Sequence, residues 1–174
     1  LSRGKTIGVV IDLPEPHASV IRGWRERVGD PLADIVPAHV TLLPPTSVDD
    51  SAMEQVSAQL ASVAAGAQPF SMHLSGTGTF RPTSQVVFVQ VAAGISRCEE
   101  LEAQIRRGPL ERARDFPFHP HVTVAHDLGD EALDLAYEGL ADFVARFRVD
   151  RFALFTRDAE HAWIVEREFV LGAL

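Results

Sequence analysis

The sequence is short of several things. It has one cysteine, Cys98, one lysine, Lys5, and one tyrosine, Tyr137. No apolar run approaches the roughly 18 residues needed to span a bilayer. A single thiol excludes an internal disulfide and a thiolate zinc cluster, and makes a reducing, cytoplasmic compartment the expectation. Positive charge is scarce too: 16 Lys and Arg stand against 24 Asp and Glu, a net charge of −8. Proteins that wrap long nucleic acid through its phosphates show the opposite balance. Neither long nucleic acid nor a membrane is therefore an expected partner, whereas a small anionic ligand in a local pocket is compatible with the charge.

What is present is a chain of 174 residues, 46% hydrophobic, enough for a single domain over 1–174 made of two interleaved lobes. Residues 6–11 form a strand-length apolar run followed by Asp12 and Pro14, without a small-residue cleavage site. They are expected to be structure rather than a secretion signal. Helical spacing of Val20, Ile21, Trp24 and Val28 predicts a helix over 17–28. Residues 38–43 read as a strand closed by Pro44-Pro45. A helix capped by Ser47 or Asp49 should then run to about residue 65. Strands are expected at 69–75, 77–80, 85–92 and 119–126. Helices are expected at 95–107 and 130–145. Two last strands, 147–155 and 161–170, should pair across Arg157-Asp158-Ala159-Glu160. The pattern predicts an α+β fold with mostly antiparallel sheets and flanking helices.

One four-residue pattern occurs twice, as His39-Val40-Thr41-Leu42 and His121-Val122-Thr123-Val124. The copies lie 82 positions apart, close to half the chain, which is how an internal repeat shows itself. Side chains alternate along a strand, so His and Thr at i and i+2 share a face while the intervening Val turns into the core. Two such strands related by an approximate two-fold would collect two imidazoles and two hydroxyls in one cleft between pseudo-symmetric lobes. That set suits phosphodiester chemistry without a metal or other cofactor. A neutral His takes a proton from the attacking oxygen and a protonated His gives one to the leaving oxygen. The hydroxyls donate to the non-bridging oxygens, where charge accumulates.

These paired His-x-Thr-x motifs resemble the signatures of the 2H phosphoesterase superfamily, and the chain is most similar to its 2′-5′ RNA ligase branch. The resemblance extends over nearly the whole chain. It implies a bilobal fold with the active site in the cleft, and hydrolysis of, or ligation at, a 2′,3′-cyclic phosphate or 2′-5′ linkage of a nucleotide or RNA terminus. Carried over by position, it implies catalytic roles for His39 and His121 and phosphate contacts for Thr41 and Thr123. Members acting on RNA often carry an Arg after the second motif. Here the residues are Ala125-His126-Asp127, which makes His126 an auxiliary candidate.

Two rival readings are a non-catalytic nucleotide or RNA-end binding module in the same cleft, and a metal-dependent hydrolase using His119, His121 and His126. The cluster Arg106, Arg107, Arg112 and Arg114 is interleaved with Glu111 and Asp115 and reads as an ordinary solvated loop. At least two of Phe80, Phe116 and Phe118 are expected to pack in the core, as are Trp24 and Trp163. Cys98 sits on an apolar helix face and is expected to be a buried, inert thiol. With no apolar stripe left over, a monomer is the expectation.

Overall fold

The structure, a computed structural model, describes residues 4–157 and 162–172. Its strands are β1 (Gly4–Asp12), β2 (His39–Asp49), β3 (Phe70–Thr79), β4 (Val86–Ala93), β5 (His121–His126), β6 (Val144–Val149), β7 (Arg151–Arg157) and β8 (Trp163–Val170). Its helices are α1 (His17–Arg27), α2 (Met53–Ala65), α3 (Ile95–Ile105) and α4 (Asp130–Gly139). The strands form one curled, antiparallel sheet in the order β6-β3-β4-β5-β2-β1-β7-β8. The fold is mixed α+β, as the sequence pattern predicts.

The order divides at the centre into two halves of four strands. In each half a motif strand lies innermost, β2 or β5. Beside it runs the strand that precedes it in sequence, β1 or β4, and a helix links the two, α1 or α3. The halves meet through a single ladder pair, Val40 with Val122. These are equivalent positions of the two motifs, so the pseudo-two-fold passes through this pair. The motif strands are thus immediate neighbours in one continuous sheet. The expected cleft is the concave surface over their seam, rather than a gap between two separate sheets.

The core lies on the other surface. Val40, Leu42, Val122 and Val124 are fully buried there, with Val56 and Leu60 of α2, Cys98 and Ile105 of α3 and Leu133 of α4. The apolar stripes of the helices close over this face, which removes it from water.

Several boundaries differ from the sequence reading, each for a local reason. β2 does not stop at Pro44-Pro45. Pairing with β1 passes from Val9–Leu43 to Ile7–Thr46, so both prolines fall in a bulge, where their missing N–H groups cost no ladder bond. The strand then runs to Asp49 and α2 begins only at Met53. The expected strands 69–75 and 77–80 are one strand, β3, bent at Gly76, whose φ of +71° suits glycine. The expected helix 130–145 ends at Gly139. The stretch after it supplies β6, an edge strand paired with β3 that the helical spacing of Leu140 and Val144 concealed. The expected strand 147–155 is broken at Asp150, its first residues falling in β6 and the rest in β7. β7 and β8 pair as expected, but the Asp158-Ala159-Glu160 connection lies outside the described residues. Among the described residues, no helix is long and apolar enough to cross a membrane.

Leu42 projects from the motif strand into the core with no exposed surface. Leu42→Ala should lower unfolding free energy by about 3 kcal/mol, read as a shift in urea midpoint at unchanged m-value.

Candidate active site

The two motif strands begin with the same burial pattern: half-buried His, buried Val, half-buried Thr, and then two buried residues. With the cores of both strands turned inward, His39, Thr41, His121 and Thr123 all project from the concave surface. An antiparallel register through Val40–Val122 sets His39 across from Thr123 and Thr41 across from His121. The rows continue outward. Val10 of β1 neighbours Thr41, and Gln90 of β4 neighbours His121. In the other row Asp12 neighbours His39, and Phe88 neighbours Thr123.

Each imidazole is held the same way. Nδ1 of His39 lies 2.7 Å from the carbonyl of Pro37, and Nδ1 of His121 lies 2.6 Å from that of His119. A carbonyl only accepts, so Nδ1 carries a proton in both rings, and Nε2 is the nitrogen left to exchange one. Burial pushes both imidazoles below the ordinary value of 6.5. The backbone bond partly opposes this in each. Positive neighbours add to the depression, Arg25 for His39, and His119 and His39 for His121. The last of these shows that the two rings are electrostatically coupled. Asp12 is pushed the other way, to about 6, by burial and then by the Glu168 carboxylate.

Both histidines follow a loop pinned by buried charge. Arg25 of α1 donates from Nε to Asp30 at 2.8 Å and from its terminal nitrogens to the carbonyls of Val36 and Leu32. This fixes the segment that delivers His39. On the α3 side, Glu102 is 1% exposed and accepts from Arg106 and, at 2.8 and 2.7 Å, from Arg114. Burial alone would raise the Glu102 carboxyl, but the bonds from Arg114 and Arg106 hold it below its ordinary value. This fixes the segment that delivers His121. The arginine cluster is therefore not an ordinary solvated loop. Neither Arg25 nor Glu102 stood out in the sequence. The signal was there: Arg25 is four residues after Ile21 and Glu102 four after Cys98, which puts each charge on an apolar helical stripe.

Three recesses open around the histidines. One is lined by Val10, Pro37, His39, Thr41, Phe155 and Trp163. A second, of about 460 Å³, is lined by Phe80, Thr83, Ser84, Phe116, His119 and His121. The third, of about 260 Å³, reaches from Thr41 and His121 to Arg106, Arg112 and Phe118. Trp163 is thus not a core residue. It packs with Val10, Ala153 and Phe155 on the concave side, over Gly8, where a Cβ would come within 3.0 Å of its ring. Of Phe80, Phe116 and Phe118, only Phe118 packs against the main core. Phe80 stands edge-on to His121 at 5.1 Å, and Phe116 is 73% exposed at the rim. Trp24 does pack against the core, and Cys98 is fully buried, its thiol pushed up to about 12 by burial and then by Glu99.

His119 stacks on His121 with centroids 5.9 Å apart. His126 lies exposed at the far end of β5, Nε2 3.3 Å from Asp127, about 16 Å along the strand from His121. The structure does not bring it to the other four. Among the described residues, no group of three or more His, Cys, Asp or Glu side chains is placed to hold a metal ion.

Comparison with known proteins identifies a family and a fold. The family model described as the 2′-5′ RNA ligase superfamily matches residues 13–161. A Bacillus cytotoxicus protein named "Putative phosphoesterase" is 30% identical over 168 residues, 95% of this chain and 96% of its own. The crystal structure of Escherichia coli LigT complexed with 3′-AMP superposes with a TM-score of 0.76 at 19% identity, covering 98% of this chain and all of that one. TT0787 of Thermus thermophilus gives 0.69 at 23% identity, covering 97% and 98%. These two likenesses show the fold.

Glu102 is the one acid between two arginines, and Arg106 is almost as buried as it is. Glu102→Ala should cost about 3 kcal/mol of stability by leaving the Arg106 charge buried and unpaired. It should also raise amide exchange in residues 107–118 above that in β5, measured by hydrogen–deuterium exchange.

Proposed function

The chain belongs to the 2′-5′ RNA ligase superfamily of phosphoesterases, and on that premise we propose that it opens a 2′,3′-cyclic phosphate, or cleaves a 2′-5′ phosphodiester, at a nucleotide or RNA end. His39 and His121 divide the base and acid roles, and Thr41 and Thr123 bind the reacting phosphate. The observation that carries this reading is the matched bond from each Nδ1 to the carbonyl two residues earlier. It leaves two equivalent Nε2 atoms on one surface, each able to serve as base when bare and as acid when protonated.

In hydrolysis, one bare Nε2 takes a proton from water as the water oxygen bonds to phosphorus. The bond from phosphorus to the leaving ribose oxygen breaks, and the second Nε2 gives that oxygen its proton. The threonine hydroxyls donate to the non-bridging oxygens, whose charge rises in the transition state. The rings end in exchanged protonation states, and a solvent proton resets them. Because the site is nearly two-fold, the pose of the substrate decides which histidine is acid.

The expected assay result is turnover of nucleoside 2′,3′-cyclic phosphates that resists EDTA. His39→Ala and His121→Ala should each reduce kcat by about 10²–10⁴-fold without loss of fold. Loss of turnover in EDTA would instead support a metal-dependent hydrolase, on a ligand set other than His119, His121 and His126, since His126 stands at the far end of β5. Tight binding of the cyclic phosphate without turnover would support the binding module.

The pH profile gives a second check. Activity requires one proton shared by the pair, and both imidazoles are depressed below 6.5, chiefly by burial. The singly protonated pair is therefore most abundant on the acid side of 6.5. A bell-shaped kcat/KM with its maximum below pH 6.5 is expected. The kcat profile should be displaced upward, because a bound phosphate anion favours the charged imidazole. A kcat/KM maximum above pH 7.5 would contradict the two-histidine assignment.

A further inference from the structure

The recess between Arg106 and Arg112 is not used by the chemistry just described. It shares Thr41 and His121 with the reacting centre and runs away from it along the loop before β5. Arg106 is only 9% exposed, and its Nε donates to Glu102. Its Nη1 is buried with no hydrogen-bond partner. A buried guanidinium nitrogen with no acceptor is rare and calls for an explanation, of which a ligand is one. Arg112 points the same way. Its Nη1 donates to neutral acceptors, Thr46 Oγ1 at 2.7 Å and the Pro45 carbonyl at 3.5 Å, which orient the guanidinium without neutralising it. Asp115 also lines the recess, so two guanidiniums there face one carboxylate. The Glu102 carboxylate is already taken up by Arg106 and Arg114 together. In a chain of net charge −8 this is a local positive site next to the catalytic pair.

We propose that the Arg106–Arg112 recess binds a second phosphate of the substrate, one that flanks the phosphate undergoing reaction. Guanidinium forks match phosphate oxygens better than a point charge does, and Arg112, bonded only to neutral acceptors, keeps its charge for an incoming phosphate. The substrate class is then a nucleotide bearing at least two phosphates, or a short RNA end, rather than a lone nucleoside cyclic phosphate. This inference rests on the proposed function, because the first phosphate must lie on the two histidines.

Binding to the full chain tests it without requiring turnover. The probes are adenosine 2′- and 3′-monophosphates, the 2′,5′- and 3′,5′-bisphosphates, and the dinucleotide ApA carrying a terminal 2′- or 3′-phosphate, titrated by calorimetry. At least one two-phosphate probe should bind about tenfold or more tightly than the monophosphate. The advantage should shrink as salt rises. In Arg112→Gln, which sits on a loop and keeps a donor for Thr46, it should fall to about twofold or less. Arg106→Gln should do the same, with thermal melting to confirm that each variant is folded. A gain with the bisphosphates assigns the subsite to a terminal phosphate, and a gain with ApA alone assigns it to an internal diester. If the monophosphate binds and neither two-phosphate probe gains, this subsite is wrong while the proposed function stands. An advantage that survives intact in both variants also overturns it. If no probe binds at all, both readings fall.

Discussion

Everything at the site depends on one backbone contact, the antiparallel pairing of Val40 with Val122. Both side chains are fully buried, so the register cannot slip by one residue without turning His39, Thr41, His121 and Thr123 into the core. The burial of two valines thus fixes which face carries the imidazoles. The same apolar term that stabilises the sheet also sets the geometry of the chemistry. A repeat sequence alone could have met in other ways. The pairing of equivalent positions makes the local symmetry axis run through the seam, so neither histidine is privileged by the fold.

Holding the rings still is a separate problem, and buried charge solves it. Each histidine follows a loop of irregular backbone, whose carbonyls need partners when water is excluded. Arg25 supplies donors to the Val36 and Leu32 carbonyls just before His39. Glu102 gathers Arg106 and Arg114 just before His121. Two helices in equivalent places thus use opposite charges for the same task. A buried ion pair is a poor source of stability compared with apolar packing. Here its use is to define one loop conformation, and with it the carbonyl that each Nδ1 engages.

The motif pair, the α+β class and most elements were legible in the sequence, because His-x-Thr on an apolar strand carries both a period and a chemistry. The edge strand β6 was not. Its residues follow a helix whose apolar spacing continues past Gly139, and only pairing with β3 decides otherwise. Trp163 was misplaced because an apolar pattern does not distinguish the two faces of a sheet when both carry packed aromatics. Phe88 and Trp163 lie on the concave side, over Gly78 and Gly8, where a Cβ would collide with or crowd their rings. Those glycines are meaningful only once the neighbouring strand is known. The arginine loop was misread because the partner of Arg106 and Arg114 is Glu102 in the preceding helix, not one of the acids interleaved with the arginines.

The near-symmetry of the reacting groups contrasts with the asymmetry around them. His39 looks onto Trp163, Phe155 and Pro37, whereas His121 is ringed by Phe80, Phe88 and His119 and opens toward Arg112. Asp12 neighbours His39 where Gln90 neighbours His121 at the symmetry-related place. Asp12 has its carboxyl raised to about 6 by burial and then by the Glu168 carboxylate. Gln90 has no charge to offer and is committed to the Thr77 carbonyl. Two imidazoles with identical backbone anchors therefore have different charged neighbours, Arg25 for His39 and His119 for His121. A symmetric pair can run a directional proton transfer only if something breaks the tie, and the groups placed to break it are those that differ between the halves.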